Sequence, residues 1–346
     1  MPAPHGTHAR SALAAAILIG GVAACKVAEK PAPAPERAPP PVAAPANVPA
    51  NVSHGEAPVG SAATPPAVDA AAPVPGRAHL VRVRFEVRHV RLTIDSGVVY
   101  EGWTFDGRAP GPVIRVAQGD TVDFTLVNKG PMPHSMDFHA AEIAPSRYYT
   151  NVMPNDSIHY RFVARVPGAF LYHCGTAPVA AHIANGMFGA LIVDPAGGRP
   201  PASEFVLVQS EFYSTAPPGS AGPLSLDWSK LLNQAPDYVV FNGRVAQYAK
   251  HPITVPVGAL LRLYVVNAGP NRISSFHVVG AIFERVYLDG GTSHPLEGVQ
   301  TVNVPVGGSG IFEVRLREAG TYPFVTHAFA DATKGAVGMF EAAAGR

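Results

Sequence analysis

The chain contains the same pattern of short strand-like runs twice, and this repeat constrains its fold more than any other feature. FDGRAPGPVIRVAQGDTVDFTLVNKGP, from Phe105, is echoed by FNGRVAQYAKHPITVPVGALLRLYVVNAGP, from Phe241. Both copies consist of alternating or β-branched apolar runs broken by Gly, Pro, Asn and Asp, which is typical of all-β sandwiches. The repeat therefore predicts two similar β-sandwich domains in tandem, at about 79–197 and 198–346.

Residues 1–25 have the pattern of an export signal. Basic residues precede the apolar run SALAAAILIGGVAA, which is too short for a comfortable membrane span. The segment VAAC, ending at Cys25, resembles the lipobox of bacterial lipoproteins, in which the Cys is lipidated and becomes the mature N-terminus. The alternative is a leader cleaved nearby, with Cys25 incidental. Either signal predicts export to the periplasm or cell envelope, and a lipidated Cys25 also predicts a membrane anchor.

Residues 26–78 are dominated by Pro and Ala and lack the apolar periodicity that could build a fold. Pro-rich sequence favours extended polyproline conformations. We expect a disordered tether that separates the folded body from the membrane. The 26 basic and 25 acidic side chains of the whole chain are balanced, which argues against a nucleic-acid partner.

The segment GAFLYHCGTAPVAAHIANGMFG, residues 168–189, holds several potential metal ligands close together. A Cys, a His or a Met alone is more often a core residue than a ligand. Here they occur in C-x7-H-x4-M order, and a further His stands upstream in PMPHSMDFHAA. A thiolate, imidazoles and a thioether form a soft set that suits copper. The sequence predicts a blue (type 1) copper site whose ligands are His134, Cys174, His182 and Met187.

The alternation of side chains along a strand separates a second group. Because successive residues of a strand point to opposite faces, His173 must point away from a metal bound by Cys174. Asp137 and His139 are two residues apart and share a face, whereas His134 and His139 are an odd number apart. We therefore expect Asp137, His139 and His173 to gather on the outer face of the first domain.

The second copy of the repeat differs from the first where the metal would bind. It contains no Cys, and Ala336 stands opposite Met187 in the aligned strands, so it cannot hold a blue copper. It keeps His277 at the place that matches His139, and His327 at the place of the His173–Cys174 pair. His327 is the best remaining donor for a copper with three imidazole ligands, and it need not come from the same chain.

Residues 79–346 resemble the two-domain copper nitrite reductases. The motifs that carry the resemblance are PHSMDFHAA, YHCGTAPVAAHIANGMFGALIVDP and YPFVTHAFADATKGAVG. The resemblance implies two Greek-key, cupredoxin-like domains and one-electron reduction of nitrite to nitric oxide. It also implies a homotrimer with the catalytic copper between neighbouring chains, and an electron donor such as a small cupredoxin or c-type cytochrome. The residues it implies are type 1 copper ligands His134, Cys174, His182 and Met187, type 2 copper ligands His139, His173 and His327, and the active-site carboxylate Asp137.

The chain departs from many members of that family in two places. Their second domain carries a His that assists proton transfer, and the matching residue here is Ile282. The loop between Cys174 and His182 is also one residue shorter, and both features look more like the enzymes of some thermophilic Gram-positive bacteria. We expect His277 to replace the missing His as the proton-handling partner of Asp137. The alternative is a structural imidazole at 277, with water completing the relay.

Two other functions compete with nitrite reduction. A two-domain multicopper oxidase of laccase type needs paired H-x-H motifs, and this chain offers only H-x4-H at 134–139. A non-catalytic blue-copper electron-transfer protein would leave Asp137, His139, His173 and His327 unexplained together. Copper content separates the three, at about one per chain for the carrier, two for the reductase and four for the oxidase.

Overall fold

The computed structural model describes residues 67–76 and 79–344, and this part of the chain is built mainly from strands. The strands of the first half are β1 (Leu80–Asp95), β2 (Val98–Phe105), β3 (Ile114–Ala117), β4 (Thr121–Asn128), β5 (Asp137–Phe138), β6 (Ser157–Val163), β7 (Gly168–His173) and β8 (Phe188–Asp194). A 3₁₀ turn (Pro145–Arg147) and helix α1 (Val179–Ala184) lie between them.

The second half continues with more strands and three short helices. Its strands are β9 (Ser203–Phe212), β10 (Gly222–Leu224), β11 (Tyr238–Phe241), β12 (Ile253–Pro256), β13 (Leu260–Gly269), β14 (Ser274–Val278), β15 (Phe283–Leu288), β16 (Leu296–Val299), β17 (Thr301–Val304), β18 (Ser309–Arg315), β19 (Gly320–Thr326) and β20 (Val337–Ala343). The helices are α2 (Trp228–Leu232), α3 (Gln247–Lys250) and α4 (Phe329–Ala332).

Each half forms a sandwich of two sheets. In the first sandwich, the sheet β10-β2-β1-β4-β6, whose edge strand β10 comes from the second half of the chain, and the sheet β3-β8-β7-β5 bury their inner faces in one apolar core. In the second half, the sheet β11-β9-β13-β18-β15-β16 and the sheet β12-β20-β19-β14-β17 enclose another. The predicted fold class, two tandem β-sandwiches, is confirmed, while the boundary near residue 197 stays a prediction.

Strand alternation explains why these segments face the cores. Along the first half of β1, Phe85 and Val87 are buried while Arg84 and Arg88 are exposed, so alternate residues of this segment reach the core. Apolar burial of this kind stabilises the fold by about 25 cal/mol per Å² removed from water.

The repeat predicted from the sequence is visible in the strand pairing. In the first half β5 pairs antiparallel with β7, which sets Phe138 opposite Tyr172. In the second half β14 pairs antiparallel with β19, which sets Phe276 opposite Thr326. Candidate site residues of both halves therefore lie on equivalent strand pairs.

A buried network of ion pairs joins the two halves. Arg115 of β3 donates to Asp194 of β8, with an Nε–Oδ2 distance of 2.8 Å, and to Glu204 of β9 at 2.7 Å. Arg262 of β13 donates to the other oxygen of Glu204 at 2.8 Å and to Glu313 of β18 at 2.8 Å. Glu204 is thus held by one arginine from each half.

The segment 67–76 differs from the sequence prediction. It falls in the tether predicted over 26–78, yet it packs on the body: Ala71 bridges Phe205, and the Val206 N–H donates to the Ala70 carbonyl at 2.8 Å. Arg115 also donates to the Pro73 carbonyl at 2.8 Å. The prediction was wrong here because β11 pairs with β9 only from Gln209 onward, which leaves the first residues of β9 available on that side.

The export signal at 1–25, including Cys25, and the tether residues 26–66 and 77–78 lie outside the described residues. Among the residues that are described, no helix combines the length and apolar character needed to span a membrane.

Candidate metal centres

The first centre forms where a strand end, a helix and a loop of the first sandwich meet. Cys174 follows the last residue of β7, and His182 lies in α1, which begins five residues further on. His134 lies in the loop after β4, where its backbone bridges Val152. Met187 directly precedes β8. All four side chains are buried to the same extent, at 0% exposure.

Three donor atoms converge in this pocket. The Cys174 Sγ lies 3.2 Å from the Nδ1 of His182 and 3.9 Å from the Nδ1 of His134, and the two Nδ1 atoms are 3.2 Å apart. Met187 is tied to both neighbours through its backbone: its N–H donates to the His182 carbonyl at 3.1 Å, and its carbonyl accepts from the Cys174 N–H at 3.0 Å. The sequence-predicted type 1 residues are therefore brought together.

Burial sets the protonation of these groups. It lowers the pKa of His134 to about 2, aided by the neighbouring His182 and His89, and it lowers the pKa of His182 to about 4. Both rings are therefore neutral at physiological pH and have a lone pair to offer. Burial raises the pKa of the Cys174 thiol, although the Ser135 N–H donates to its Sγ at 3.3 Å.

The donor set of this pocket fits copper. Two neutral imidazoles and a sulfur face one another without water-exposed surface, and the Nε2 of His182 is buried without a hydrogen-bond partner. Two imidazoles with one thiolate are the ligand set of blue-copper sites, and a metal stabilises a thiolate where burial alone would disfavour it.

The second centre lies on the other face of β7. Asp137, His139 and His173 each offer a ligand atom, and these atoms lie within 4.8 Å of one another. The Nε2 atoms of His139 and His173 are 3.1 Å apart, and the Asp137 Oδ2 is 3.8 Å from the Nε2 of His173. His173 is buried, Asp137 is half-buried and His139 is exposed, so this centre opens to the protein surface.

Backbone groups orient both imidazoles of the second centre. The Nδ1 of His173 lies 2.9 Å from the Cys174 carbonyl, and since that oxygen can only accept, the proton sits on Nδ1 and the Nε2 keeps its lone pair. His139 forms a hydrogen bond with the backbone of Gly307, which belongs to the second half of the chain. The two rings thus present their Nε2 atoms to a shared position.

Tyr148 is a site residue that the sequence analysis missed. It follows the 3₁₀ turn, and its hydroxyl donates to the Asp137 Oδ1 at 3.3 Å. Burial, with the charge of Asp137, raises the pKa of Tyr148 to about 12, so the hydroxyl stays protonated. The segment SRYYT that contains Tyr148 has no spacing that marks it as functional.

His277 and His327 lie apart from both centres within the described chain. His327 is exposed beyond the end of β19, and its ring contacts Phe329, with 4.6 Å between centroids. The ring of His277 lies beside that of His327, with 5.5 Å between centroids, and the Nδ1 of His277 donates to the Gln300 carbonyl at 2.7 Å. Ile282, at the place of the expected His, is 55% exposed.

The chain as a whole is similar to known copper proteins. A multicopper oxidase family model matches residues 86–197. Copper-containing nitrite reductase from Neisseria gonorrhoeae is 41% identical over 348 residues, covering 96% of this chain and 87% of that protein. The enzyme of the same name from Neisseria meningitidis serogroup B is 41% identical over 299 residues, covering 83% of this chain and 75% of that protein. The chain belongs to the copper-containing nitrite reductases.

A solved structure supports the family assignment. Copper nitrite reductase from Nitrosomonas europaea superimposes with a TM-score of 0.70 at 34% identity, covering 76% of this chain and 94% of that one. The resemblance stated from the motifs is confirmed, and copper is the cofactor of this nitrite reductase family member. The closer likeness to enzymes of thermophilic Gram-positive bacteria stays a prediction.

Proposed function

We propose that this protein catalyses NO₂⁻ + e⁻ + 2 H⁺ → NO + H₂O with two coppers per chain. The observation that carries the proposal is the adjacency of Cys174 and His173, which belong to two separate donor clusters on opposite faces of β7. A carrier needs only the first cluster, and a laccase-type oxidase needs several more imidazoles than the described residues bring together.

The first copper would be held by His134, Cys174, His182 and Met187. The second would be held by His139 and His173 of one chain together with His327 of a neighbouring copy. Bound copper supplies one-electron redox chemistry at the first centre and a Lewis-acidic, redox-active position for nitrite at the second.

The chain itself connects the two centres. Cys174 and His173 are covalently adjacent, and the His173 Nδ1–H donates to the Cys174 carbonyl at 2.9 Å. This arrangement offers a short covalent route between the clusters and holds the His173 ring in a single orientation. A fixed ring orientation keeps the Nε2 of His173 directed at the position that the second copper would occupy.

Asp137 is our candidate for proton transfer. It projects from β5 toward the Nε2 of His173, where its carboxyl group would hydrogen-bond to nitrite and supply a proton. Tyr148 donates to its Oδ1, so the Oδ2 remains directed at the cluster. His277 is our candidate for the second proton donor: its Nδ1–H donates to the Gln300 carbonyl, and its Nε2 can take up a proton from solvent and pass it on.

We further propose a homotrimer in which His327 completes the second centre of the next chain. Three observations support it: the second cluster opens to the surface, His327 is exposed, and His277 accompanies it. A closed ring would satisfy every such surface. Export to the periplasm or cell envelope, a lipid anchor at Cys25, and a small cupredoxin or c-type cytochrome as electron donor remain parts of this proposal.

The test is an anaerobic assay of copper-loaded protein with nitrite and an artificial reductant, together with copper analysis. We expect nitric oxide as the product and about two coppers per chain. Copper-free protein and a His139→Ala variant serve as controls, and both should produce none. Protein with two coppers per chain that releases no nitric oxide would contradict the proposed reaction, and one copper per chain would favour the electron carrier.

A further inference from the structure

His89 lies on β1 directly opposite Trp103 of β2. The two rings stack with 5.2 Å between centroids and an interplanar angle of 13°. The Trp103 ring in turn makes edge contacts with the rings of His182 and His134, with 4.9 Å and 6.0 Å between the centroids. Trp103 therefore covers both imidazoles of the first metal centre and fixes His89 beside them.

His89 contacts one of those imidazoles through a hydrogen bond. The Nε2 of His89 is 2.9 Å from the Nε2 of His134, whose other ring nitrogen faces the Cys174 thiol. If the Nδ1 of His134 binds a metal, the ring must carry its proton on Nε2. The His134 Nε2–H then donates, and His89 accepts through an unprotonated Nε2.

The backbone around this bond is closely packed. A Cβ on Gly130 would lie 3.2 Å from the Nε2 of His134 and 3.2 Å from the Cδ2 of His89. Both distances are shorter than ordinary van der Waals contacts, so a larger residue at 130 would press on the two rings that share the bond. The absence of a side chain at Gly130 lets His89 and His134 approach each other.

We propose that His89 is a positioning residue that sets the tautomer of His134 and lowers the reduction potential of the type 1 copper. This inference rests on the proposed type 1 site. A hydrogen bond from a ligand N–H to an outer acceptor raises the basicity of the ligand. A more basic imidazole stabilises Cu(II) more than Cu(I), so the oxidised state is favoured.

The experiment compares the reduction potential and the visible absorption of copper-loaded variants. His89→Leu removes the acceptor, and we expect its equilibrium constant for one-electron reduction to rise about tenfold, which is about 59 mV for one electron. His89→Gln keeps an acceptor oxygen and should restore most of the wild-type value. The matched control is His159→Leu, an exposed histidine on β6 of the same sheet that bonds to Asp123, and it should leave the potential unchanged.

Gly130→Ala gives a second, independent measurement if His89→Leu does not fold. Its methyl group should push the two rings apart and shift the potential in the same direction by a smaller amount. A wild-type potential in His89→Leu would overturn the proposal, and so would equal potentials in His89→Leu and His89→Gln. If His89→Leu does not fold, a wild-type potential in Gly130→Ala would overturn it instead. Wild-type protein with bound copper but without the blue absorption would instead overturn the type 1 assignment itself.

Discussion

Asp137 and His173 occupy directly opposed positions on β5 and β7, and the Asp137 Oδ2 is 3.8 Å from the His173 Nε2. The next residue after His173 is Cys174, whose side chain enters the other centre. The pairing of β5 with β7 therefore positions the carboxylate of the second centre. The alternation of side chains at His173 and Cys174 separates that centre from the first.

Replacing Asp137 by Asn should lower nitrite turnover by about 10²-fold, because a lost acid–base group typically costs that factor. Both coppers should remain bound, since the ligands are unchanged. Tyr148→Phe removes only the hydroxyl that donates to Asp137 and should give a smaller loss with a changed pH profile. Steady-state rates of nitrite reduction and copper analysis test both variants. Full activity in Asp137→Asn would remove this residue from the mechanism.

His277→Ala tests the second proton donor. We expect turnover to fall by about 10²-fold with both coppers retained, because no ligand is lost. His251→Ala, at an exposed histidine of the same half, is the control and should leave turnover unchanged. An unchanged rate and pH profile in His277→Ala would assign it a structural role, with water completing the relay.

Cys174→Ser should abolish the intense visible absorption, because the colour arises from copper–thiolate bonding and Cys174 is the only Cys among the described residues. The fold should survive, since the side chain changes by one atom. Absorption and circular dichroism spectra measure the two effects separately. A variant that remained blue would contradict the type 1 assignment.

The separation into two clusters was predictable from the sequence because it depends on a single local rule. Side chains alternate along β7, so the adjacent His173 and Cys174 had to serve different faces. Asp137 could be placed with His173 by the same rule applied to the short strand β5. No long-range information was required for either step.

Tyr148, His89 and Trp103 could not be found in that way. Each reaches a centre through packing between segments distant in sequence: Tyr148 from a loop, and His89 and Trp103 from the opposite sheet of the sandwich. Residues 67–76 were misassigned for a related reason. Their Pro and Ala content resembles a linker, while their partner is an available stretch of β9 that composition cannot reveal.

The proposed trimer predicts that a charge near His327 should separate the chains. Phe329 is 58% exposed and contacts the His327 ring, so Phe329→Asp places a carboxylate in the expected interface. Leu232→Asp, at a 62% exposed leucine of α2, is the matched control. Light scattering should report a single chain for Phe329→Asp, with type 2 copper lost and the blue absorption kept. A trimer that retained both coppers would count against this interface.

Acid stability should depend on Glu204. Burial raises the pKa of Glu204, but the hydrogen bonds from Arg115 and Arg262 together lower it by more, so the pKa lies below its ordinary value of 4.5. A carboxyl group whose pKa is depressed by folding contributes stability above its unfolded pKa and loses that contribution as pH falls through the folded pKa.

We therefore expect Glu204→Gln to be less stable than wild type by about 3 kcal/mol at pH 7. This is the low end for a broken buried ion pair, because each arginine keeps a second carboxylate. The difference should shrink as pH falls below 4.5, since the wild-type carboxyl then becomes protonated as well. Denaturant unfolding between pH 7 and pH 3 measures it, with the exposed Glu318→Gln as control. A stability difference that stayed constant over this range would show that the charge of Glu204 is not what joins the two halves.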